Sequence, residues 1–246
     1  MQAVTQKQYY VYIMLSQTQT GFARTIRRIT GNTYSHSSIA FDADLKHMYG
    51  FARYRSRVPV VAGLVREYPE RFTLNKVKNV PVRIYRIPVT KTQYMIGARS
   101  IRHVLHDRES YMYNLYSVLT YPLFRGIRTY KAFTCSEFIV FLLTIMGVPI
   151  RVSKSAYQYT PEQLIDVLKD YDVVFEGNLL DYADASEHRP AFFRSPNYVR
   201  DGISSAYYLA RLAYRGRGNF NPTRFRPVKA AFYRKKGFNL QTKMHN

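Results

Sequence analysis

Tryptophan is absent from this sequence of 246 residues, and cysteine occurs only once, at Cys135. One cysteine excludes an internal disulfide and any cysteine-rich zinc site. The longest apolar run, Phe138 to Ile150, is interrupted by Thr144 and Gly147 and is too short to span a bilayer. The first ten residues do not combine a basic segment with an apolar core, so the sequence predicts no secretory signal and a cytoplasmic location.

Acidic residues are also scarce. The chain has 16 Asp and Glu against 37 Lys and Arg, a formal net charge of +21. This balance favours polyanionic partners, namely nucleic acid, an anionic membrane surface or an acidic substrate. Residues 202–246 contain no Asp or Glu, and from Arg211 onward basic residues are interleaved with Tyr and Phe. Such a composition is typical of segments that bind single-stranded nucleic acid, suits an anionic membrane surface, and also fits a solvated tail without a ligand.

The remaining composition, 46% hydrophobic and 15% aromatic residues, indicates a folded protein. Period-two and aromatic or β-branched patterns predict strands at Tyr9–Leu15, 36–42, His47–Ala52, Val58–Val65, Val80–Val89 and Val173–Gly177. Helical spacing and start signals predict helices at Phe22–Thr30, 90–106, from Cys135, from Thr160 to Tyr171, and at Tyr207–Tyr214. We therefore predict an α+β fold with a small, mostly antiparallel sheet over residues 1–182, followed by a basic, aromatic-rich extension over residues 183–246.

Cys135 lies at the predicted start of a helix. Thr134 and Glu137 have the spacing of a capping box, and the apolar run that follows ends at Gly147. At the first helical position, unpaired backbone N–H groups and the helix dipole favour a thiolate over a thiol. The pattern therefore indicates a nucleophilic cysteine, with the alternative that a free cysteine is simply packed in the core.

His36 begins a predicted strand, where its side chain can face a cleft at the edge of the sheet. A histidine in this position is either structural or a general base, and the second role requires a nucleophile elsewhere in the chain. Because a thiolate nucleophile needs a base, we consider His36 and Cys135 together as a candidate catalytic pair. We predict no metal site and no cofactor, since the His103 and His106 pair has no matching acidic or cysteine partner.

The segments YSHSSIAFD at 34–42 and FTCSEFIVFLL at 133–143 resemble the catalytic segments of circularly permuted NlpC/P60-like (papain-like) thiol hydrolases. In that group the histidine strand precedes the cysteine helix, as it does here. The CSEF start is similar to the YiiX/YebB-like branch. The resemblance covers residues 9–182 and implies a sheet with the nucleophile helix packed on one face.

The resemblance further implies that Cys135 is the nucleophile and His36 the general base. The third member of the family's site is a polar residue on the strand after the histidine strand. In this chain the corresponding position, near Gly50, has no carboxylate or amide, so His47 and Glu67 are the candidates. The backbone N–H of Cys135 is expected to bind the oxyanion.

We therefore expect a thiol hydrolase or acyltransferase that forms an acyl-enzyme on Cys135. The expected substrate is an amide, ester or thioester in a peptide, a lipid or a small molecule, because related families include both amidases and lipid acyl-transfer enzymes. The alternative is a catalytically inactive scaffold whose basic C-terminal region binds nucleic acid or an anionic membrane surface.

Overall fold

A computed structural model describes residues 8–18, 31–73, 77–184 and 190–217 of the chain. It confirms the predicted α+β class and the mostly antiparallel sheet. Six antiparallel strands lie in the order β4-β3-β2-β1-β5-β8: β1 Tyr9–Ser16, β2 His36–Ala40, β3 Met48–Arg55, β4 Val58–Glu67, β5 Pro81–Val89 and β8 Asp172–Asn178. A separate parallel pair is formed by β6 Met112–Tyr113 and β7 Ala132–Phe133.

The helices pack against this sheet and at its edges. They are α1 Lys91–His106, α2 Leu115–Leu119, α3 Tyr121–Phe124, α4 Cys135–Met146, α5 Leu164–Val167, α6 Leu179–Tyr182, α7 Pro190–Phe193 and α8 Tyr198–Arg217. None of the helices in the described ranges is both long and apolar enough to cross a bilayer.

The main core lies between one face of the sheet and the helices α1 and α4. Alternate residues of β1, Val11 and Ile13 among them, point into this core, where they meet Ile101 of α1 and Leu142 of α4. The opposite face of the sheet carries a smaller apolar cluster that includes Met14. Because α4 is apolar on nearly all sides, it is buried along most of its length, and this burial fixes the position of Cys135 at its start.

Some predicted elements differ from the observed ones. The helix predicted from Thr160 to Tyr171 is only one turn long, Leu164–Val167. Thr160 and Gln163 exchange hydrogen bonds at the predicted start, but the helix begins only after Gln163, and the backbone on both sides of it forms i to i+3 bonds that belong to turns. The helix predicted at Tyr207–Tyr214 is longer than expected and spans Tyr198–Arg217. The helix predicted at Phe22–Thr30 lies outside the described residues.

Helix α8 belongs to the predicted C-terminal extension and packs against β4 and β6. Tyr208 and Leu212 are buried there, and the Tyr208 hydroxyl donates a hydrogen bond to the carbonyl of Ala62 at 2.6 Å. Asp201, at the start of the helix, pairs with Arg55 at 2.5 Å. Residues 198–217 are therefore in contact with the sheet, while the predicted basic segment from residue 218 onward lies outside the described ranges, and the division at residue 182 stays a prediction.

Candidate active site

The start of α4 has the predicted capping box. Thr134 is the N-cap in an extended conformation, its hydroxyl accepts the N–H of Glu137 at 3.1 Å, and its own N–H donates to Glu137 Oε2 at 3.2 Å. Cys135 is the first helical residue and is only 4% exposed. Because the first N–H groups of a helix have no partner within it, the Cys135 amide is directed out of the helix start.

His36 is the first residue of β2, and the structure brings it to Cys135. The two side chains are close enough that each shifts the pKa of the other. The other contact of the imidazole is with Glu67, whose two carboxylate oxygens each lie 3.0 Å from Nε2 of His36. Because Nε2 is occupied by the carboxylate, Nδ1 is the ring nitrogen that remains for the sulfur. His36 and Cys135, which we considered together on sequence grounds, therefore lie close to each other in the structure.

Glu67 is the last residue of β4, two strands away from β2. Its carboxylate passes over Gly50 of the intervening strand β3 and also accepts a hydrogen bond from the Ser38 hydroxyl at 2.5 Å. A Cβ atom at position 50 would overlap the Glu67 carboxylate and lie 3.2 Å from Nε2 of His36. Gly50 lies where the resemblance places the third polar residue of the site. Because it has no side chain, the carboxylate of Glu67 on the next strand has room to reach His36.

His47, the other candidate, is not part of this arrangement. It lies in the turn before β3, its side chain is mostly exposed, and its Nδ1 pairs with Asp42 at 2.8 Å. Of the two candidates for the third role, only Glu67 contacts His36. The alternation of residues along β4 and the glycine in β3 can be read from the sequence. The register in which β3 and β4 pair cannot, and this register brings Glu67 over Gly50.

The electrostatics of the three side chains favour a charged site. Burial alone raises the pKa of the Cys135 thiol, but the hydrogen bond and positive charge of His36, with the backbone N–H of Ser37, lower this pKa below its usual value. Burial lowers the pKa of His36, yet the Glu67 carboxylate and the hydrogen bond with Cys135 outweigh it, so this pKa lies well above 6.5.

The pKa of Glu67 is lowered in turn. Burial raises it, but the charge and hydrogen bond of His36 act more strongly in the other direction, with smaller contributions from Arg71 and Ser38. A buried carboxylate is stable only where it is paired and hydrogen-bonded in this way. These shifts favour the thiolate, imidazolium and carboxylate forms of the three groups.

An open cleft lies over Cys135. Among the residues that the structure describes, its lining contains no charged side chain and is dominated by tyrosines and hydroxyl groups: Ser35, Tyr113, Ser117, Val118, Tyr121, Thr134, Ser136, Tyr157, Tyr159, Thr160 and Pro161. The Ser136 hydroxyl donates to the carbonyl of Tyr159, which ties the start of α4 to the cleft wall.

Tyr113 is a cleft residue that the sequence did not indicate. Its side chain is partly buried beside Cys135, and this burial raises its pKa well above the usual value, with the negative charge at Cys135 adding to the effect. Its backbone N–H donates to the hydroxyl of Tyr208 at 2.6 Å. Helix α8 therefore holds the strand β6 that forms this wall of the cleft.

Glu137 is a second buried carboxyl group, two residues after Cys135. Burial raises its pKa to about 8, although hydrogen bonds from Thr134 and Asn114 and the charge of Arg128 lower it. At neutral pH this side chain is therefore largely protonated. It supports the helix start by hydrogen bonding and adds little negative charge that would oppose a thiolate at Cys135.

Within the described ranges, no three His, Cys, Asp or Glu side chains lie close enough together to hold a metal ion. No protein-family model, no curated protein and no solved structure matches this chain.

Proposed function

We propose that this protein is a cysteine-dependent hydrolase or acyltransferase that acts on an amide, ester or thioester. The observation that carries the proposal is the continuous chain of contacts from Cys135 through His36 to Glu67. A nucleophile, a base bonded to it and a third group that orients the base form the arrangement used for nucleophilic acyl transfer. The lowered pKa of the thiol supports the same role.

In the first half of the reaction the Cys135 thiolate attacks the carbonyl carbon of the substrate and forms a carbon–sulfur bond. The backbone N–H of Cys135, free of partners within the helix, is placed to stabilise the negative charge that develops on the carbonyl oxygen. The tetrahedral intermediate then collapses, and the His36 imidazolium gives its proton to the leaving amine, alcohol or thiol. The product is a thioester on Cys135.

In the second half His36, now neutral, takes a proton from water or from another acceptor nucleophile. The acceptor attacks the thioester, the carbon–sulfur bond breaks, and the thiolate and imidazolium are restored. Glu67 holds the ring through Nε2 and stabilises the imidazolium, and it does not itself exchange a proton with the substrate.

The cleft favours an uncharged group next to the scissile bond. Among the described residues, the cleft is lined by aromatic rings and hydroxyl groups. This lining includes no positively charged side chain that could neutralise a carboxylate or phosphate bound beside Cys135. Peptide, lipid and small-molecule acyl groups all meet this condition. The order of the histidine strand and the cysteine helix supports a permuted papain-like hydrolase, with one difference: the orienting group comes from the second strand after the histidine strand.

The test is the rate of Cys135 alkylation by iodoacetamide as a function of pH, in the parent chain and in His36→Ala. Because the chain has a single cysteine, the modified site needs no assignment. We expect rapid alkylation at about pH 6, well below an ordinary thiol pKa of about 8.5. In His36→Ala this reactivity at low pH should be lost.

An unfolded variant would give fast alkylation with an ordinary thiol titration, so far-UV circular dichroism of both proteins is recorded alongside. Slow alkylation of the parent with a pKa near 8.5, unaffected by His36→Ala, would contradict the proposed function.

A further inference from the structure

Helix α8 has two apolar faces, of which only one is packed. Its inner face carries Tyr208 and Leu212, buried against β4 and β6. At about 100° per residue, a second set of side chains lies within an arc of roughly 80° on the opposite side of the helix. These residues are between 65% and 78% exposed: Val199, Ile203, Tyr207 and Tyr214. A single exposed apolar residue is ordinary, whereas an aligned row over four turns is not.

A second group of exposed apolar side chains lies on α2 and α3, near the C-terminal end of α8. The C-terminal end of α8 lies next to Tyr116 of α2, which packs beside Gly216. One turn further along α2 and in α3, more large apolar side chains are exposed: Leu119, Leu123 and Phe124, with Leu123 80% exposed. We call these seven residues the α8–α3 apolar surface. It adjoins the cleft, because Tyr121 of α3 lines the cleft mouth.

Positive charge borders the α8–α3 apolar surface. Arg200 and Arg211 lie on α8 beside the exposed row, and the Arg211 guanidinium stands 5.5 Å from the centre of the Tyr207 ring. The one acidic residue of α8, Asp201, is on the inner face and is paired with Arg55. Beyond it the sequence has no acidic residue as far as residue 246. An anionic partner would therefore meet no negative charge on this helix.

Exposed apolar side chains bordered by arginines fit some binding partners better than others. A second copy of the chain would bring the arginines beside α8 together in a molecule of net charge +21, which opposes association through this surface. Nucleic acid would be attracted by the arginines and would stack on tyrosines, but Val199, Ile203 and Leu123 offer it neither stacking nor hydrogen bonds. A helix with one apolar exposed side bordered by arginine is the pattern of a helix that lies in a membrane interface.

We propose that the α8–α3 apolar surface docks this protein on an anionic lipid bilayer, with α8 parallel to the membrane plane. The valine, isoleucine, leucine and aromatic side chains enter the boundary between headgroups and acyl chains. The arginines of α8 contact the lipid phosphates. This inference does not depend on the chemistry at Cys135.

The experiment is co-sedimentation of the full chain with vesicles. One set contains phosphatidylcholine alone, and the other contains roughly one part phosphatidylserine to three parts phosphatidylcholine, a composition that gives a negative surface potential. We expect binding to the anionic vesicles and little binding to the neutral ones. The variant Ile203→Ser/Tyr207→Ser should bind the anionic vesicles at least about tenfold more weakly, because it removes apolar groups that enter the bilayer.

A matched control is Val173→Ser/Val174→Ser, which removes two exposed apolar residues from the edge strand β8. This variant should bind like the parent. Since all four substituted side chains are exposed, each variant should keep the far-UV circular dichroism of the parent. Equal loss of vesicle binding in both variants would overturn the proposal.

Three further results would also overturn it. In the first, vesicle binding is lost when Arg234, Lys235 and Lys236 are changed to Gln, whereas the Ile203→Ser/Tyr207→Ser variant binds vesicles like the parent. The second is a concentration-dependent dimer in analytical ultracentrifugation that the Ile203→Ser/Tyr207→Ser variant abolishes. The third is tight binding of a single-stranded oligonucleotide, weakened by the same variant, in a chain that does not sediment with anionic vesicles.

Discussion

Both carboxylate oxygens of Glu67 lie 3.0 Å from Nε2 of His36, although the two residues belong to strands separated by a third. The intervening strand permits this contact because its residue at the crossing point is Gly50. The pair holds the imidazole and favours its charged form, and the charge of His36 in turn lowers the pKa of Cys135.

The first prediction concerns the charge of Glu67. In Glu67→Gln the amide oxygen still accepts a hydrogen bond from the ring, but the negative charge is gone. The pKa of His36 should fall, since the carboxylate is the main group that raises it, and the pKa of Cys135 should rise as the imidazolium is lost. We expect Cys135 alkylation at pH 6 to slow by about tenfold or more, because one pKa unit is a factor of ten in thiolate population.

The control for this change is Glu176→Gln, which removes a half-exposed carboxylate that pairs with Arg83 on the far side of the sheet. It should leave the alkylation rate of Cys135 unchanged. If Glu67→Gln also leaves the rate unchanged, Glu67 has no influence on the reactivity of Cys135.

The second prediction concerns the space above Gly50. In Gly50→Ala the new methyl group would overlap the Glu67 carboxylate and press on the His36 ring. We expect the carboxylate to be displaced, the free energy of unfolding to fall by about 1–3 kcal/mol, and alkylation of Cys135 at pH 6 to slow. Urea denaturation and the alkylation assay measure the two effects separately.

The matched control is Gly202→Ala. Gly202 lies in α8, and no atom is within 4 Å of the position that its Cβ would occupy. Because alanine is favoured over glycine in a helix, this variant should be more stable than the parent by about 0.5–1 kcal/mol. A loss of stability that is the same for both alanine variants would count against the packing argument at Gly50.

The third prediction concerns the link between α8 and the cleft wall. The Tyr208 hydroxyl accepts the N–H of Tyr113 and donates to the carbonyl of Ala62, each at 2.6 Å. Tyr208→Phe leaves both buried backbone groups without this partner. The free energy of unfolding should fall by about 1–3 kcal/mol.

The neighbouring substitution Tyr207→Phe serves as the control, because Tyr207 is exposed and its ring is retained. Its effect on the free energy of unfolding should stay within about 0.5 kcal/mol. Comparable losses in Tyr207→Phe and Tyr208→Phe would show that the bridging hydroxyl is not what stabilises α8.

The fourth prediction concerns pH and Glu137. Burial raises the pKa of Glu137 from 4.5 to about 8 in the folded protein. Between these values the folded state keeps a proton that the unfolded state has released, so the free energy of unfolding falls as the pH rises through this range. Glu137→Gln has no such proton, and glutamine can still complete the capping box with Thr134.

The stability of Glu137→Gln relative to the parent should therefore increase from pH 5 to pH 8, by an amount on the order of 3 kcal/mol. Urea denaturation of both proteins at the two pH values measures the difference and cancels the contributions of other titrating groups. A constant difference across this range would mean that Glu137 titrates normally.

Local features of the site were predictable from the sequence because they depend on neighbouring residues. Thr134 and Glu137 form the capping box, and Cys135 is the first helical residue, as their spacing indicates. The strand that starts at His36 and the α+β class follow in the same way from alternation and helical spacing. The helix from Thr160 was predicted too long, because a local start signal does not specify how far the tertiary packing allows a helix to run.

The sequence by itself determined that the one cysteine begins a helix and that His36 begins a strand. Only the tertiary structure decided which third group joins them. Glu67 is 31 residues from His36 along the chain, and His47 is nearer in sequence, yet the pairing of β3 with β4 places the carboxylate over Gly50 and leaves His47 at the surface. Strand register is a long-range property, because it depends on which residues of separate strands are buried together, and this is why spacing alone left the choice open.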